Sequence, residues 1–213
     1  MNKKIVSHLQ YSWYIYVIIA VISIALWTMV FQGFLEPDNN ERVAIVFYSG
    51  GWDSLELYAE LNNTKGKITS QKLKEITVEQ CAVNKTGLLQ RVGSDMLISD
   101  LLVIEQSLID GGTQQNITLD IPRCFYEIDQ EKILTYFTDV NVNFYMVDEK
   151  AYGIYLNDPF DGQENNFENY YDGEDVFVLF FSRDSVNIDQ MNGKGNIGDK
   201  AALDVTKYLL EVN

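Results

Sequence analysis

Between Tyr11 and Phe34 the chain reads YSWYIYVIIAVISIALWTMVFQGF, about 24 residues without a charged side chain. At roughly 1.5 Å per helical residue this run spans a hydrocarbon layer of about 30 Å, and a buried core helix rarely runs so far without a polar stripe. Tyr11, Trp13, Tyr14 and Tyr16 gather towards one end and Trp27, Phe31 and Phe34 towards the other, as rings that settle at the two membrane interfaces do. The run exceeds the ~7–15 apolar residues of a signal peptide core, and no small-x-small cleavage site precedes Glu36. A retained signal anchor is therefore expected. Lys3 and Lys4 flank one end and Glu36, Asp38 and Glu41 the other, which places the N-terminus in the cytoplasm and the bulk of the chain outside it. The organisation expected is a cytoplasmic N-terminus over 1–10, a transmembrane helix over 11–34, a tether over 35–41 (its FLEPDNNE context rich in turn formers) and an extracytoplasmic domain over 42–213.

Charge and residue usage exclude several functions. Lys3 and Lys4 are the only two of the 16 basic residues before Glu36, so 14 face all 31 acidic residues beyond it, a formal −17. Such a surface repels nucleic acid and anionic headgroups, which need clustered Lys and Arg. His8 is the sole histidine and Cys81 and Cys124 the only cysteines, too few for a zinc site, so no metal and no cofactor is expected. The two cysteines either close one disulfide loop of about forty residues or remain buried free thiols. With 46% hydrophobic and 13% aromatic residues, the domain has the composition of a folded core.

Strand-like and helix-like runs alternate along the domain, which predicts an α/β sheet with helical cover. RVAIVFY (Arg42 to Tyr48) reads as a buried strand, Asp53 to Asn62 as a helix with Leu55, Tyr58 and Leu61 on one face, and Glu75 to Val83 as a strand. A short helix carries Leu88, Leu89 and Val92. DMLIS (Asp95 to Ser99) reads as a buried third strand, and the leucine-rich run after it as a helix stopped by Gly111 and Gly112. A helix over Asp129 to Asp139, strands over Asn143 to Val147, Tyr152 to Leu156 and Asp175 to Arg183, and a closing helix over Asp199 to Val212 with Ala202, Leu203, Leu209 and Leu210 on its apolar side complete the expectation.

The turn SGGWDS, Ser49 to Ser54, sits between the first strand and the first domain helix and resembles the phosphate loop, SGGxDS, of the PP-loop ATP pyrophosphatases. That resemblance implies an adenylating enzyme whose backbone amides hold pyrophosphate. Against it, the expected topology keeps the turn away from cytoplasmic ATP, the following DSLELYAEL carries no basic residue, and the next Lys after Arg42 is Lys65. A tight glycine turn with Asp53 or Ser54 capping the helix accounts for the same residues.

A second likeness covers Arg42 to the C-terminus. The runs VAIVFY, ITVEQCAV, GLLQRVGSDMLIS, AYGIYLND, DVFVLFFS and AALDVTKYLLEV follow in the order of extracytoplasmic solute-binding proteins of ABC transporters, and Gly93, Asp95, Tyr152, Gly153 and Ile154 look like short features of that family. Tyr155 stands where the family carries a proline, and about 175 residues make a reduced version. The resemblance implies a small periplasmic-binding-protein-like α/β domain, with ligand beyond the strand C-termini. The ligand-binding candidates are then Tyr48, Ser49, Trp52 and Asp53 after the first strand, and Ser99 and Asp100 after the third, with exposed Tyr and Trp stacking on a sugar, peptide or cation.

The acidic stretch NDPFDGQENNFENYYDGEDV, Asn157 to Val176, fails the EF-hand pattern: with Gly162 at the invariant glycine the third ligand becomes Pro159, and with Gly173 the twelfth becomes Leu179. It reads as a solvated loop, with partner contact through Phe160, Phe167, Tyr170 and Tyr171 the sharper alternative. Asn62, Asn84 and Asn116 begin N-x-T sequons. No G-x-S-x-G nucleophile appears and no carboxylate pair is singled out, so catalysis is not expected. The expected function is binding: a membrane-anchored domain that captures a ligand, senses, or acts as an accessory subunit on an integral-membrane partner such as a transporter. The rival classes are the adenylating enzyme and a pilin-like surface protein assembled through its helix.

Overall fold

The computed structural model describes residues 3–35, 41–49, 55–109, 119–157, 165–171, 173–185, 187–188 and 197–212, with side chains of the first helix described from Trp13 to Phe31. The chain divides into two units, Met1–Pro37 and Asp38–Asn213.

The first unit is α1 (Lys3–Leu35), a continuous helix because nothing in the apolar run breaks it. Its stretch Trp13–Phe31 is long and apolar enough to cross a membrane, and none of it is buried by protein. Thr28 turns its hydroxyl back onto the Ile24 carbonyl at 2.8 Å, which satisfies that hydroxyl within the helix.

In the second unit β1 (Arg42–Ser49) is followed by α2 (Leu55–Ile68), β2 (Glu75–Ala82), α3 (Lys85–Asp95), β3 (Leu101–Glu105) and the short α4 (Gln106–Ile109). After α5 (Ile121–Cys124) and α6 (Gln130–Tyr136) come β4 (Phe144–Val147), β5 (Lys150–Tyr155), β6 (Phe177–Phe181) and α7 (Ile197–Leu210). The sheet order is β2-β1-β3-β6-β5-β4. β1 pairs in parallel with β2 and β3, whereas β6, β5 and β4 add antiparallel neighbours. The chain therefore leaves β1 in one direction to form β2 and crosses back to form β3, so the strand order reverses at β1 and β3.

Both faces of this sheet are covered, which explains why the central strands are apolar throughout instead of alternating. Val43, Ile45 and Phe47 of β1, with Leu101, Val103, Phe177, Leu179 and Phe181, pack with α2, α6 and α7. Val46 and Tyr48, with Leu102, Ile104, Val178 and Phe180, pack with Leu88, Val92 and Met96 around α3, and with Ile109, Ile121 and Phe125. Each such side chain contributes roughly 1.5–3 kcal/mol by leaving water, so β1, β3 and β6 dominate stability.

One edge strand is partly closed by a side chain. Asn62 on α2 donates its amide to the Ile76 carbonyl at 2.5 Å and accepts the Ile76 N–H at 3.1 Å, occupying backbone groups that an open strand would present. Asn84, another sequon asparagine, is the N-cap of α3, accepting from the Gly87 N–H at 2.9 Å. Asn116 lies outside the described residues.

The central region corrects two sequence expectations. DMLIS is not a strand: Asp95 ends α3, Met96 is its C-cap and residues 96–98 turn. The third strand is LLVIE, inside the run read as a helix, because β1 and β6 lie on either side of it and supply its backbone partners. Gly111 and Gly112 lie outside the described residues. Phe167 is likewise no partner-facing ring. It is fully buried, stacked on Phe47 at 6.3 Å and edge-on to Phe177 at 5.6 Å. Tyr170 and Tyr171 are half-buried beside it, and Phe160 lies outside the described residues.

Candidate functional site

The sheet has an upper edge, where β1 and β3 end, and a lower edge, where they begin. The sequence candidates divide between the two. Tyr48 and Ser49 close β1 at the upper edge. Ser99 and Asp100 precede β3 instead of following it, and the Asp100 carboxylate accepts the Ala44 N–H at 2.8 Å, near the start of β1. Five residues of extended strand separate Ala44 from Ser49, or about 16 Å at ~3.3 Å per residue. The structure does not bring these pairs together. Trp52 and Asp53 lie outside the described residues, as does the rest of the glycine turn after Ser49.

Tyr48 does not stack on a ligand, because strand alternation points it into the α3 face, where it is fully buried. Its hydroxyl donates to the Asp95 carboxylate, and Asp95 also faces Arg91 Nε at 3.5 Å. Arg91 reaches Glu79 at 3.2 Å, and the Cys81 thiol donates to the same Glu79 oxygen at 3.6 Å. Arg91 and Glu79 are about half exposed, so that ion pair contributes at most about 1 kcal/mol. Burial, then the bond to Asp95, raises the Tyr48 phenol well above the ordinary tyrosine range. Burial also pushes the Cys81 thiol up to about 11. Both cysteines are free thiols.

A phenol whose folded pKa is raised binds its proton more tightly in the folded state, so its contribution is intact below the unfolded value near 10 and is lost as pH rises beyond it. Tyr48→Phe is expected to reduce this alkaline loss while costing about 1–2 kcal/mol at neutral pH. Urea titrations from pH 7 to 11 check both; an unchanged alkaline slope would contradict the assignment. Tyr136, Tyr170, Tyr171 and the two cysteine thiols, all raised first by burial, supply the remaining slope.

At the upper edge, sequence reasoning missed Glu105. It is the last residue of β3, buried beside the end of β1, and it accepts a hydrogen bond from the Ser107 hydroxyl. Its signal was hidden because LLVIE was read as helix. Ser49 is buried too, and its carbonyl accepts the Val83 N–H at 3.3 Å.

A concave site lies elsewhere, on the α3 side of the lower half. Segment 125–128 inserts where β5 and β6 diverge, its Tyr126 N–H donating to Phe181 O at 3.0 Å and its Ile128 N–H to Ala151 O at 2.8 Å. Pro122, Phe125, Tyr126, Glu127, Tyr152 and Arg183 line a cavity of about 370 Å³ there. Phe125 stacks on Phe180 at 4.4 Å, which holds the inserted segment. Arg183 donates to Pro122 O at 3.2 Å, and Glu127 is paired with Lys150 at 2.7 Å. Three aromatic rings line this open cavity, but its exposed surface is more polar than apolar, with Arg183 and Glu127 contributing charge, so it suits a small polar ligand. These residues come from three separate segments, which no local motif announces.

Among the described residues no group of three or more His, Cys, Asp or Glu is placed to hold a metal ion. Compared with family models, curated proteins and solved structures, the chain matches none.

Proposed function

We propose that this chain is a single-pass membrane protein, N-terminus in the cytoplasm, whose acidic α/β domain works outside the cytoplasm as a binding module resembling a reduced solute-binding protein. It binds without catalysis, serving as a capturing, sensing or accessory subunit beside an integral-membrane partner such as a transporter. The observation that carries this reading is the pairing of a helix whose charge-free stretch Trp13–Phe31 is not buried by protein with a separately packed α/β unit that begins only six residues (36–41) after the helix ends. So short a connection raises the effective concentration of the domain towards other membrane proteins. The strand-order reversal at β1 and β3 agrees with the solute-binding resemblance, and the aromatic cavity at Phe125, Tyr126 and Tyr152 offers the ligand an opening away from that reversal.

The test is protease accessibility of a C-terminal tag in intact cells stripped of their wall. Digestion of the tag without lysis, with a membrane-retained fragment carrying residues 1–35, is the expected outcome. Digestion only after lysis overturns the topology and returns nucleotide chemistry at SGGWDS to consideration. Release of the domain cut ahead of Glu36 identifies a signal peptide instead of an anchor.

A further inference from the structure

Although the domain is strongly acidic as a whole, its cations are not evenly spread. From Leu61 to Lys74 the sequence LNNTKGKITSQKLK holds four of the chain's 16 basic residues and no carboxylate. α2 returns antiparallel to β1, so its last turn, with Lys65 and Lys67, and the connection carrying Lys72 and Lys74 into β2 all lie at the lower edge. Lys65 donates to the Lys74 carbonyl, which holds the loop together, and Lys67 and Lys72 are exposed. The carboxylates nearest this corner are Asp204, which accepts from the Thr69 hydroxyl at 2.5 Å, Glu41, paired with Lys74 at 2.5 Å, and Glu75, half-buried at the start of β2.

The same edge presents apolar surface. Leu97 and Ile98, in the turn between α3 and β3, are 62% and 59% exposed. Their backbone is held by bonds from Leu97 N–H to Ser94 O at 3.2 Å and from Ile98 N–H to Asp95 O at 3.1 Å. The turn therefore displays two adjacent aliphatic side chains on a fixed backbone. β2 and β3 flank β1, so the lysine loop and this turn are about 10 Å apart along the sheet, the end of α2 on one face and the turn on the α3 face. The acidic β4–β5 turn, Asp148 and Glu149, is four to five strands from β2, about 20 Å away, and Asp184 follows β6.

We propose that this lower edge docks on an anionic phospholipid surface, with Leu97 and Ile98 entering the headgroup layer and Lys65, Lys67, Lys72 and Lys74 against the phosphates. The proposal rests on the anchored reading above. Arg42 begins β1 at this edge, and the connection from Leu35 to Arg42 extends no further than about 25 Å. Charges beyond about 8–10 Å are screened in physiological salt, so the four lysines and Arg42 act against Glu41, Glu75 and Asp204 at the lysine loop and Asp184 near the Leu97–Ile98 turn, and acids at the upper edge count for little. Each Lys near an anionic surface is attracted to it, and two inserted aliphatic side chains add apolar burial.

The experiment uses the full chain reconstituted into vesicles of neutral phosphatidylcholine, or of the same lipid mixed with phosphatidylglycerol. A nitroxide is placed at Leu97→Cys, or at the control site Leu55→Cys near the upper edge, both in a Cys124→Ser background; Cys81 is buried. The expected result is that, in anionic vesicles, the label at 97 is relaxed more by lipid-soluble oxygen than by an aqueous nickel chelate, while the label at 55 remains aqueous. Neutral vesicles, or Lys67→Glu with Lys72→Glu in anionic vesicles, are expected to lose this difference. A label at 97 as aqueous as that at 55, in protein that floats with the vesicles, overturns the docking and leaves the anchor standing. Protein that fails to float overturns the anchor and the docking together.

Discussion

Asp100→Ala is expected to destabilise the domain by about 3–5 kcal/mol, because it leaves several buried donors without an acceptor. The Asp100 carboxylate is almost fully buried and accepts from the Ala44 N–H at 2.8 Å, from Asn187 Nδ2 at 3.0 Å and from the Ser185 hydroxyl. Its backbone also joins two strands, donating to Ala44 O at 2.8 Å and accepting from Ser182 N at 2.9 Å. Burial raises its pKa, and the three hydrogen bonds oppose that shift. Because the folded value lies above the unfolded one, stability attributable to this group falls as pH rises from about 3.9 through the folded value. Asp100→Asn should lie between wild type and alanine, since an amide retains one acceptor oxygen but turns an NH₂ towards a donor. Urea unfolding of the full chain in detergent, followed by tryptophan fluorescence, measures both. A cost below about 1 kcal/mol for alanine would mean that water replaces the carboxylate at no penalty, and the lower-edge network would not be structural.

Phe177→Ala is expected to cost a similar 3–5 kcal/mol, by a different route. The ring is fully buried, edge-on to Phe167 at 5.6 Å and to Tyr171 at 4.8 Å, and Phe167 in turn stacks on Phe47. Truncation leaves a void beneath segment 165–171, which is otherwise tied by Phe167 N–H to Leu209 O and Asn166 N–H to Glu211 O. Phe177→Leu restores most of the volume and should recover more than half of the loss. Equal losses for leucine and alanine would indicate that aromatic geometry, and not volume, holds this cluster. The backbone bonds of Phe177, to Asn157 Oδ1 at 2.7 Å and from Leu156 N–H at 2.9 Å, survive either change.

Much of the fold was legible where apolar periodicity was long and bounded. β1, β2, β5, β6 and α7 fall within a few residues of the expected spans, and Ala202, Leu203, Leu209 and Leu210 are buried as their helical spacing predicts. The failure at DMLIS and LLVIE has a definite cause. Both are short apolar runs of similar composition, and periodicity cannot assign a five-residue run that is buried on both faces. What makes LLVIE the strand is its neighbours: β1 on one side and β6, more than seventy residues later, on the other. That one shift moved Ser99 and Asp100 from the upper edge to the lower, and concealed Glu105 at the reversal point.

The sequence by itself determined the long charge-free run, the acidic α/β domain beyond it and the scarcity of histidine and cysteine, because these depend on composition and on unbroken local patterns. Tertiary structure alone decided that Tyr48 is an internal hydrogen-bond donor, that Asp100 joins three segments, that Phe125, Tyr126, Tyr152 and Arg183 share a cavity, and that four lysines and two exposed aliphatic side chains share an edge. Each of these results from strand pairing between residues distant in the chain. Such pairing depends on which surfaces can be buried together, and no local window of sequence contains that information.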